Sequence, residues 1–125
     1  MVVKTGRNEF ARMMYYPSLD VPPYKPSTPN TFAVGTGTTS PSDSDTALES
    51  QVTYRLIHRI IPGNSKLNFQ CRYEDGDAVG YTLTEAALMA GGGGTRMFTR
   101  ATHTGITKTS TMELIYDWTI NLESA

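Results

Sequence analysis

The segment "TMELIYDWTINL", residues 111–122, carries the strongest structural signal in the sequence because its apolar and polar side chains alternate. Successive side chains of a β-strand point to opposite faces of the sheet, so this alternation predicts a strand with one buried face. The apolar face carries Met112, Leu114, Tyr116, Trp118, Ile120 and Leu122. The opposite face carries Glu113, Asp117, Thr119 and Asn121. A core is therefore expected on one side of this strand only.

Two segments nearer the middle of the chain also predict strands. "KLNFQCRYE", residues 66–74, repeats the alternation, so Cys71 is expected to be a half-buried strand residue without a chemical role. "QVTYRLIHRII", residues 51–61, predicts one strand that is partly apolar on both faces, as where an outer face meets another element or subunit. Because "PGNS", residues 62–65, is typical of a turn, residues 52–73 are predicted to form a β-hairpin.

The remaining segments also favour β structure. "YTLTEAALMA", residues 81–90, contains good helix formers, but its neighbours favour a strand. "GGGG", residues 91–94, predicts a loop, and "TRMFTRATHTG", residues 95–105, predicts a further strand. Short strands separated by Gly and Pro are typical of an all-β protein. The prediction for residues 31–125 is therefore an antiparallel β-sandwich or jelly roll.

Residues 1–30 differ in composition from the rest of the chain. Prolines are frequent from residue 17 onward, and they favour extended conformation, so an extended N-terminal arm is predicted. The arm contains large apolar side chains, which are expected to lie on its own domain or on a neighbour. These candidate interface anchors are Met13, Met14, Tyr15, Tyr16 and Tyr24. A disordered leader is the alternative.

The overall composition narrows the range of partners. The 125 residues fit one domain with a modest core. With 11 Lys and Arg against 12 Asp and Glu, the net charge of -1 disfavours a nucleic-acid partner. A single cysteine excludes an intrachain disulfide framework, and no apolar run has the length of a membrane span or the form of a secretory signal. We therefore expect no nucleic acid and no membrane among its partners.

The run "TFAVGTGTTSPSDSDTALESQ", residues 31–51, raises the question of a phosphate cradle because of Gly35 and Gly37. The spacings of phosphate-binding loops are absent, since no third glycine and no lysine follow. The run instead predicts a short strand, a tight turn in which both glycines adopt positive φ, and a helical turn capped by Asp45 or Thr46 and ending near Glu49.

No residue pattern in the sequence singles out a catalytic or metal site. His58 and His103 fall on different predicted strands, and neither a calcium loop nor a Gly-x-Ser-x-Gly elbow is present. The sequence therefore predicts no enzyme, no metal and no cofactor. The charged residue that attracts most interest is Glu85, which can pair across strands with Arg96 or Arg100 and fix their register. Two solvated charges are the alternative.

Several motifs resemble, in their order, a family of small virion proteins of tailed bacteriophages. They are "FAVGTGTTSPSDSDTALESQV", "LTEAALM", "GGGGTRMFTRATHTGITKT" and "MELIYDWTIN". The resemblance covers most of the chain outside residues 1–30. It departs from the family pattern at Ala87, where the family usually has Gly, and at Met89, where it usually has Phe. The conformation of this strand is therefore the weakest inference from the resemblance.

The resemblance implies a structural function in the virion, with assembly in the host cytoplasm. The first expectation is a capsid decoration or cement protein that bridges subunits of the major capsid protein and associates with itself as a homotrimer. A tail, baseplate or fibre-attachment component is the alternative. A carbohydrate-binding sandwich that uses exposed aromatics such as Tyr81 or Trp118 is the second alternative.

Overall fold

The chain forms two antiparallel β-sheets packed face to face. The structure, a computed structural model, describes residues 3, 29–63, 66–90 and 96–121. In chain order the strands are β1 (Thr31–Gly35), β2 (Gln51–Leu56), β3 (Arg59–Gly63), β4 (Lys66–Tyr73), β5 (Thr82–Ala90), β6 (Arg96–Thr107) and β7 (Leu114–Asn121). One sheet has the order β2-β1-β5-β6 and the other the order β3-β4-β7. The predicted antiparallel β-sandwich is confirmed, whereas the candidate arm anchors lie outside the described residues.

Strands β4 and β7 follow the alternation from which they were predicted. Along β7 each apolar residue of the inner face is half-buried and each intervening residue is exposed, and in β4 the inward Phe69, Cys71 and Tyr73 are buried. These strands pack on Phe32 of β1, whose ring centroid lies 5.6 Å from that of Trp118. The hydroxyl of Tyr73 also donates to the carbonyl of Phe32 at 2.6 Å, which ties the two sheets together inside the core.

The predicted continuous strand over residues 51–61 is wrong, because the chain changes sheets in the middle of it. The N–H of Ile57 donates to Asn30 O at 2.9 Å, beside β1, whereas the N–H of His58 donates to Gln70 O at 2.8 Å on β4. The hairpin is correspondingly shorter than predicted: it joins β3 to β4 only, in a register from Arg59↔Gln70 to Gly63↔Lys66.

Strand β5 lies in the middle of its sheet and is buried on both faces, which explains why its sequence lacks alternation. Leu83, Ala86 and Leu88 belong to the core between the sheets. On the outer face, Ala87 and Met89 join a second apolar cluster that also contains Val3, Ala33, Leu48 and Met97. A strand covered on both sides has no polar face, so the period-two pattern that marks an exposed strand is lost.

Val3 belongs to the sandwich, although the predicted arm includes it. Its side chain is fully buried, and its N–H donates to the carbonyl of Phe98 at 3.1 Å. At the other end of the predicted arm, the N–H of Asn30 donates to the carbonyl of Met89 at 2.9 Å. Val3 and Asn30 therefore both donate hydrogen bonds to strands of the same sheet. Among the described residues, no helix has the length and apolar character needed to cross a membrane.

Candidate functional site

The most elaborate polar site is built around the carboxylate of Glu85 on β5. Glu85 is fully buried on the outer face of its sheet. One carboxylate oxygen accepts the backbone N–H groups of Gly37 and Ser50, each at 2.8 Å, and the other accepts the N–H of Glu49 at 3.0 Å. Three backbone N–H groups therefore donate hydrogen bonds to this one buried carboxylate.

Arg100 supplies the positive charge of this site. It lies on β6, opposite Ala87, and its side chain is 2% exposed. Its Nε and one terminal nitrogen both lie 3.1 Å from a single oxygen of Glu85. The same terminal nitrogen donates to the carbonyl of Thr39 at 2.9 Å. Of the two partners considered for Glu85 from the sequence, the structure brings Arg100 into contact with it.

We call this arrangement the carboxylate latch: the Glu85 carboxylate, the guanidinium of Arg100, and the backbone N–H groups of Gly37, Glu49 and Ser50. It joins two neighbouring strands to the long connection between β1 and β2, residues 36–50. The Gly-Thr-Gly run does cradle an anion, but the anion is a side chain of the protein itself. An external phosphate is therefore not needed to explain it.

Neither Gly35 nor Gly37 has a positive φ, so the predicted role of these glycines in a tight turn is wrong. They are needed because other atoms approach closely. A Cβ on Gly37 would lie 2.5 Å from the nearer oxygen of Glu85 and 2.5 Å from the Cβ of Glu49. A Cβ on Gly35 would lie 2.6 Å from the same oxygen of Glu85 and closer still to the carbonyl of Ser50.

Asp45 lies in a turn and does not cap a helical turn, because residues 45–50 are not helical. Its carboxylate accepts the N–H of Ser42 at 2.8 Å, and its own N–H donates to Ser42 O at 3.0 Å. The carboxylate also lies 3.2 Å from a terminal nitrogen of Arg100. Asp45 thus extends the latch toward the surface. Glu49, at the expected helix end, accepts the N–H of Thr38 at 3.0 Å instead.

The close contacts of Gly37 predict that Gly37→Ala destabilises the protein. The added methyl group must displace the Glu85 carboxylate or the backbone around it, and overpacking of this kind costs about 1–3 kcal/mol. The measurement is the free energy of unfolding in urea. Gly76→Ala is the matched control, because a Cβ there has no neighbour within 4 Å. Equal stability of the two variants would contradict the latch geometry.

A buried lysine fixes the loop between β4 and β5. Lys108 is fully buried, and its ammonium donates to the carbonyls of Glu74 at 2.8 Å, Asp75 at 3.2 Å and Thr109 at 3.2 Å. An ammonium has three protons, and each finds an acceptor here. Its backbone also pairs with the loop, since Lys108 N–H donates to Tyr81 O at 3.0 Å. No sequence pattern distinguishes this lysine from a solvated one.

Asp77 holds the same loop from its other side. Its carboxylate accepts the N–H of Glu74 at 2.8 Å and pairs with the guanidinium of Arg55 on β2. Partial burial acts to raise the pKa of Asp77, but the N–H of Glu74 and the charge of Arg55 outweigh it, and the pKa lies below its usual value. The folded state therefore favours the ionised carboxylate.

This lowered pKa predicts a contribution of Asp77 to acid sensitivity. The stabilisation by ionised Asp77 is complete at pH values above the pKa of an aspartate in the unfolded chain, about 4. It is lost as the pH falls through the lower pKa of Asp77 in the folded protein. We expect Asp77→Asn to be less stable than the wild type at pH 6, and this difference to shrink below about pH 4. Urea unfolding at several pH values measures it. A difference in stability between Asp77→Asn and the wild type that did not change with pH would contradict the lowered pKa of Asp77. Asp75→Asn in the same loop is the control.

The histidines and the cysteine do not form a common centre. His58 is exposed, whereas His103 contacts the hydroxyl of Tyr116 through Nε2 at 2.9 Å and Thr104 O through Nδ1 at 2.8 Å. Cys71 is buried, and burial raises the pKa of its thiol to about 11, which suppresses the reactive thiolate. Among the described residues, no group of three His, Cys, Asp or Glu side chains is placed to hold a metal.

Exposed apolar side chains concentrate where the chain passes from β2 to β3. Tyr54 is 58% exposed, Leu56 75%, Ile60 43% and Ile61 37%. We call these four residues the apolar rim. The sequence signal for it was present in the two-sided apolar character of residues 51–61, which predicted contact with another element or subunit.

No protein-family model matches the chain, and a search of curated proteins finds no significant match.

Proposed function

We propose that this protein is a structural component of a tailed-bacteriophage virion, and more narrowly a capsid decoration protein. One observation supports this most directly. The buried charged side chains of the described residues, Glu85, Arg100 and Lys108, hold connections of the sandwich in place, while the apolar rim is left at the surface. A rigid domain with an exposed apolar surface suits a protein whose function is to bridge other protein subunits.

The requirements of decoration agree with this arrangement. A protein that stabilises a shell needs durable contact area, above about 1,000 Å² for each interface, and no reactive group. Aromatic side chains supply most of the energy of such contacts. Tyr54 belongs to the rim, and Tyr15, Tyr16 and Tyr24 lie in the segment that the sequence assigns to the arm. These tyrosines are the proposed anchors, together with Met13 and Met14.

The proposed partners are the major capsid protein and further copies of this chain, with a homotrimer as the first arrangement to test. The proposed location is the virion, after assembly in the host cytoplasm. Catalysis, cofactors, nucleic acid and membrane have no part in the proposal. It rests on the resemblance of the motifs and on the surface described above.

The experiment that tests the location is a count of copies in an intact particle by quantitative mass spectrometry. A ratio to the major capsid subunit near one to one, or a simple lattice fraction of it, supports decoration. A few copies per particle would assign the protein to the tail, baseplate or fibre attachment instead. Absence from the particle would overturn both virion assignments.

A second measurement tests the action on the shell. Capsids assembled without this chain are expected to lose resistance to heat and osmotic shock, and added protein is expected to restore it. Unchanged resistance would contradict the cement function even if the copy number were high.

The carbohydrate-binding alternative requires an exposed aromatic ring on which a sugar can stack. Trp118 is half-buried and its ring packs against Phe32, whereas Tyr81 is 50% exposed.

A further inference from the structure

Strand β7 forms an open edge of the three-stranded sheet. In the order β3-β4-β7 it pairs with β4 alone among the described residues, so the backbone groups that point away from β4 have no strand partner there. Its sequence, "LIYDWTIN", contains no proline, no lysine and a single charge, whereas β3, at the other edge of the same sheet, carries Arg59 and Pro62. Charges and prolines protect sheet edges from further pairing, and the edge of β7 lacks this protection.

The inward side chains of β7 are incompletely covered at this edge. All four are half-buried, although they pack against the core: Leu114, Tyr116, Trp118 and Ile120. On the neighbouring β4, which has a strand on each side, the inward Phe69, Cys71 and Tyr73 are at most 1% exposed. The difference indicates that the missing cover lies on the far side of β7, where the described part of the sheet ends.

A groove beside β7 has room for this cover. Its volume is about 640 Å³, and it is lined by residues 103–106 of β6 and 114–117 of β7. Strand β6 is the edge of the four-stranded sheet, so the groove lies between the open edges of the two sheets. Within it, a hydrogen bond of 2.9 Å between the hydroxyl of Tyr116 and Nε2 of His103 joins the two strands. A groove of this size accommodates several side chains.

Asp117 is the charge that β7 presents at this edge. It lies on the exposed face of the strand and accepts a hydrogen bond from the side chain of Asn68 on β4. The preceding acidic residue, Glu113, pairs with Arg72. A strand added to β7 would place its outward side chains beside Asp117. Because opposite charges on neighbouring strands attract, a lysine or arginine is the favourable residue at that position.

From these observations we propose that the edge of β7 binds an extended segment of a partner protein, which becomes the fourth strand of the β3-β4-β7 sheet. Its apolar side chains, at every second position, fill the groove, and a basic side chain faces Asp117. Main-chain hydrogen bonds give such strand addition its affinity, and the alternate side chains give it specificity. The inference deepens the proposed function, on which the identity of the partner rests, whereas the binding itself is a property of the isolated protein.

A peptide titration tests the proposal. The probe is a capped synthetic peptide as long as β7, in which valine and threonine alternate and lysine replaces a central threonine. A second peptide carries glutamate in place of the lysine, and a third has the composition of the first with its valines grouped together. Trp118, the single tryptophan, lies on the half-buried face of β7 and reports binding by its fluorescence. Hydrogen exchange identifies the strand whose N–H groups become protected.

We expect the lysine peptide to slow exchange in residues 114–121 of β7 but not in residues 59–63 of β3. We also expect it to bind about threefold more tightly than the glutamate peptide, the usual effect of an exposed ion pair. Asp117→Lys should reverse this preference, and Asp75→Lys, which changes an exposed acid outside the sheet, should keep it. Both peptides are compared on the same protein, so a change in stability does not account for a reversal.

The inference is overturned if exchange in β7 is not slowed, if the peptide with grouped valines binds equally well, or if Asp117→Lys keeps the wild-type preference. It is also overturned if β7 is already protected in the free protein, by a second copy or by the chain itself. The copy number in particles tests the proposed function separately. Peptide binding by a protein absent from virions would reject the virion function and keep the docking edge, whereas a virion protein that does not bind the peptide would reject the docking edge alone.

Discussion

Replacement of Glu85 by glutamine is expected to remove about 3–5 kcal/mol from the free energy of unfolding, the usual cost of breaking a buried ion pair. A typical domain has only about 5–15 kcal/mol in total, so the variant should be close to unfolding. Glutamine has nearly the same shape as glutamate, and the loss is therefore one of charge and hydrogen bonding rather than of packing. Urea unfolding followed by tryptophan fluorescence measures it, since Trp118 is the single tryptophan.

The donors around Glu85 explain why glutamine fails. One oxygen accepts hydrogen bonds from the backbone N–H groups of Gly37 and Ser50. The other accepts them from the backbone N–H of Glu49 and from the guanidinium of Arg100. An amide has only one oxygen, and its NH₂ group must face donors on one of these two sides. Whichever side it faces, two or more hydrogen bonds are lost and the charge of Arg100 loses its buried partner. We therefore expect residues 36–50 to become accessible to proteases before the sheets separate.

Glu113→Gln is the control for this prediction. Glu113 also pairs with an arginine, Arg72, at 3.0 Å, but both side chains are 46% exposed. An exposed pair contributes about 0–1 kcal/mol, so its loss should be scarcely measurable. If Glu85→Gln were no more harmful than Glu113→Gln, the carboxylate latch would not be a major source of stability, and the interpretation of residues 36–50 would have to be abandoned.

Replacement of Lys108 by methionine is expected to cost about 3 kcal/mol. Methionine fills a similar volume, but it leaves the part-buried hydrogen bonds to the carbonyls of Glu74, Asp75 and Thr109 unmade. An acceptor left unsatisfied away from water costs about 1–3 kcal/mol. Water entering the loop offsets part of this sum. Hydrogen exchange should locate the effect in residues 74–80, including the N–H of Gly80, which donates to the carbonyl of Lys108 at 2.9 Å.

Lys66→Met provides the comparison, because Lys66 is exposed at the start of β4. A surface substitution of this kind usually changes stability by less than about 0.5 kcal/mol. A loss of stability in Lys108→Met that spread evenly over the protein, with no faster exchange in the loop, would contradict the assignment of Lys108 to the 74–80 loop. Equal stability of the two variants would show that the buried ammonium makes no net contribution.

The strands that have one solvent-exposed face could be predicted from the alternation in their sequence. A strand that is buried on both faces could not be predicted from alternation. β4 and β7 followed from alternation, because a strand between a core and solvent must alternate. β5 required its neighbours as evidence, since it is buried on both faces. The break at Ile57 and His58 left no mark in the pattern, because it consists of a change in the sheet to which the backbone N–H groups donate.

The candidate site divides in the same way. Composition and motif spacing were sufficient to question a phosphate loop and to select Glu85 and its arginine partners for attention. The backbone donors to Glu85, at residues 37, 49 and 50, could not be predicted, because nearly every residue has a backbone N–H and the sequence does not show which of them will donate. Gly37 was recognised as special, but for the wrong reason: its φ is ordinary, and its missing Cβ makes room for a carboxylate.

By itself, the sequence determined the all-β class, the inward faces of β4 and β7 and the presence of one candidate buried ion pair, because period and side-chain chemistry are local properties. Only the tertiary structure decided which charges are buried and what they hold, as with Lys108 and the 74–80 loop. It also decided that Val3 packs into the sandwich and that the apolar rim stays exposed. Burial depends on which distant segments pack together, and contacts between residues far apart in the chain have no period to reveal them.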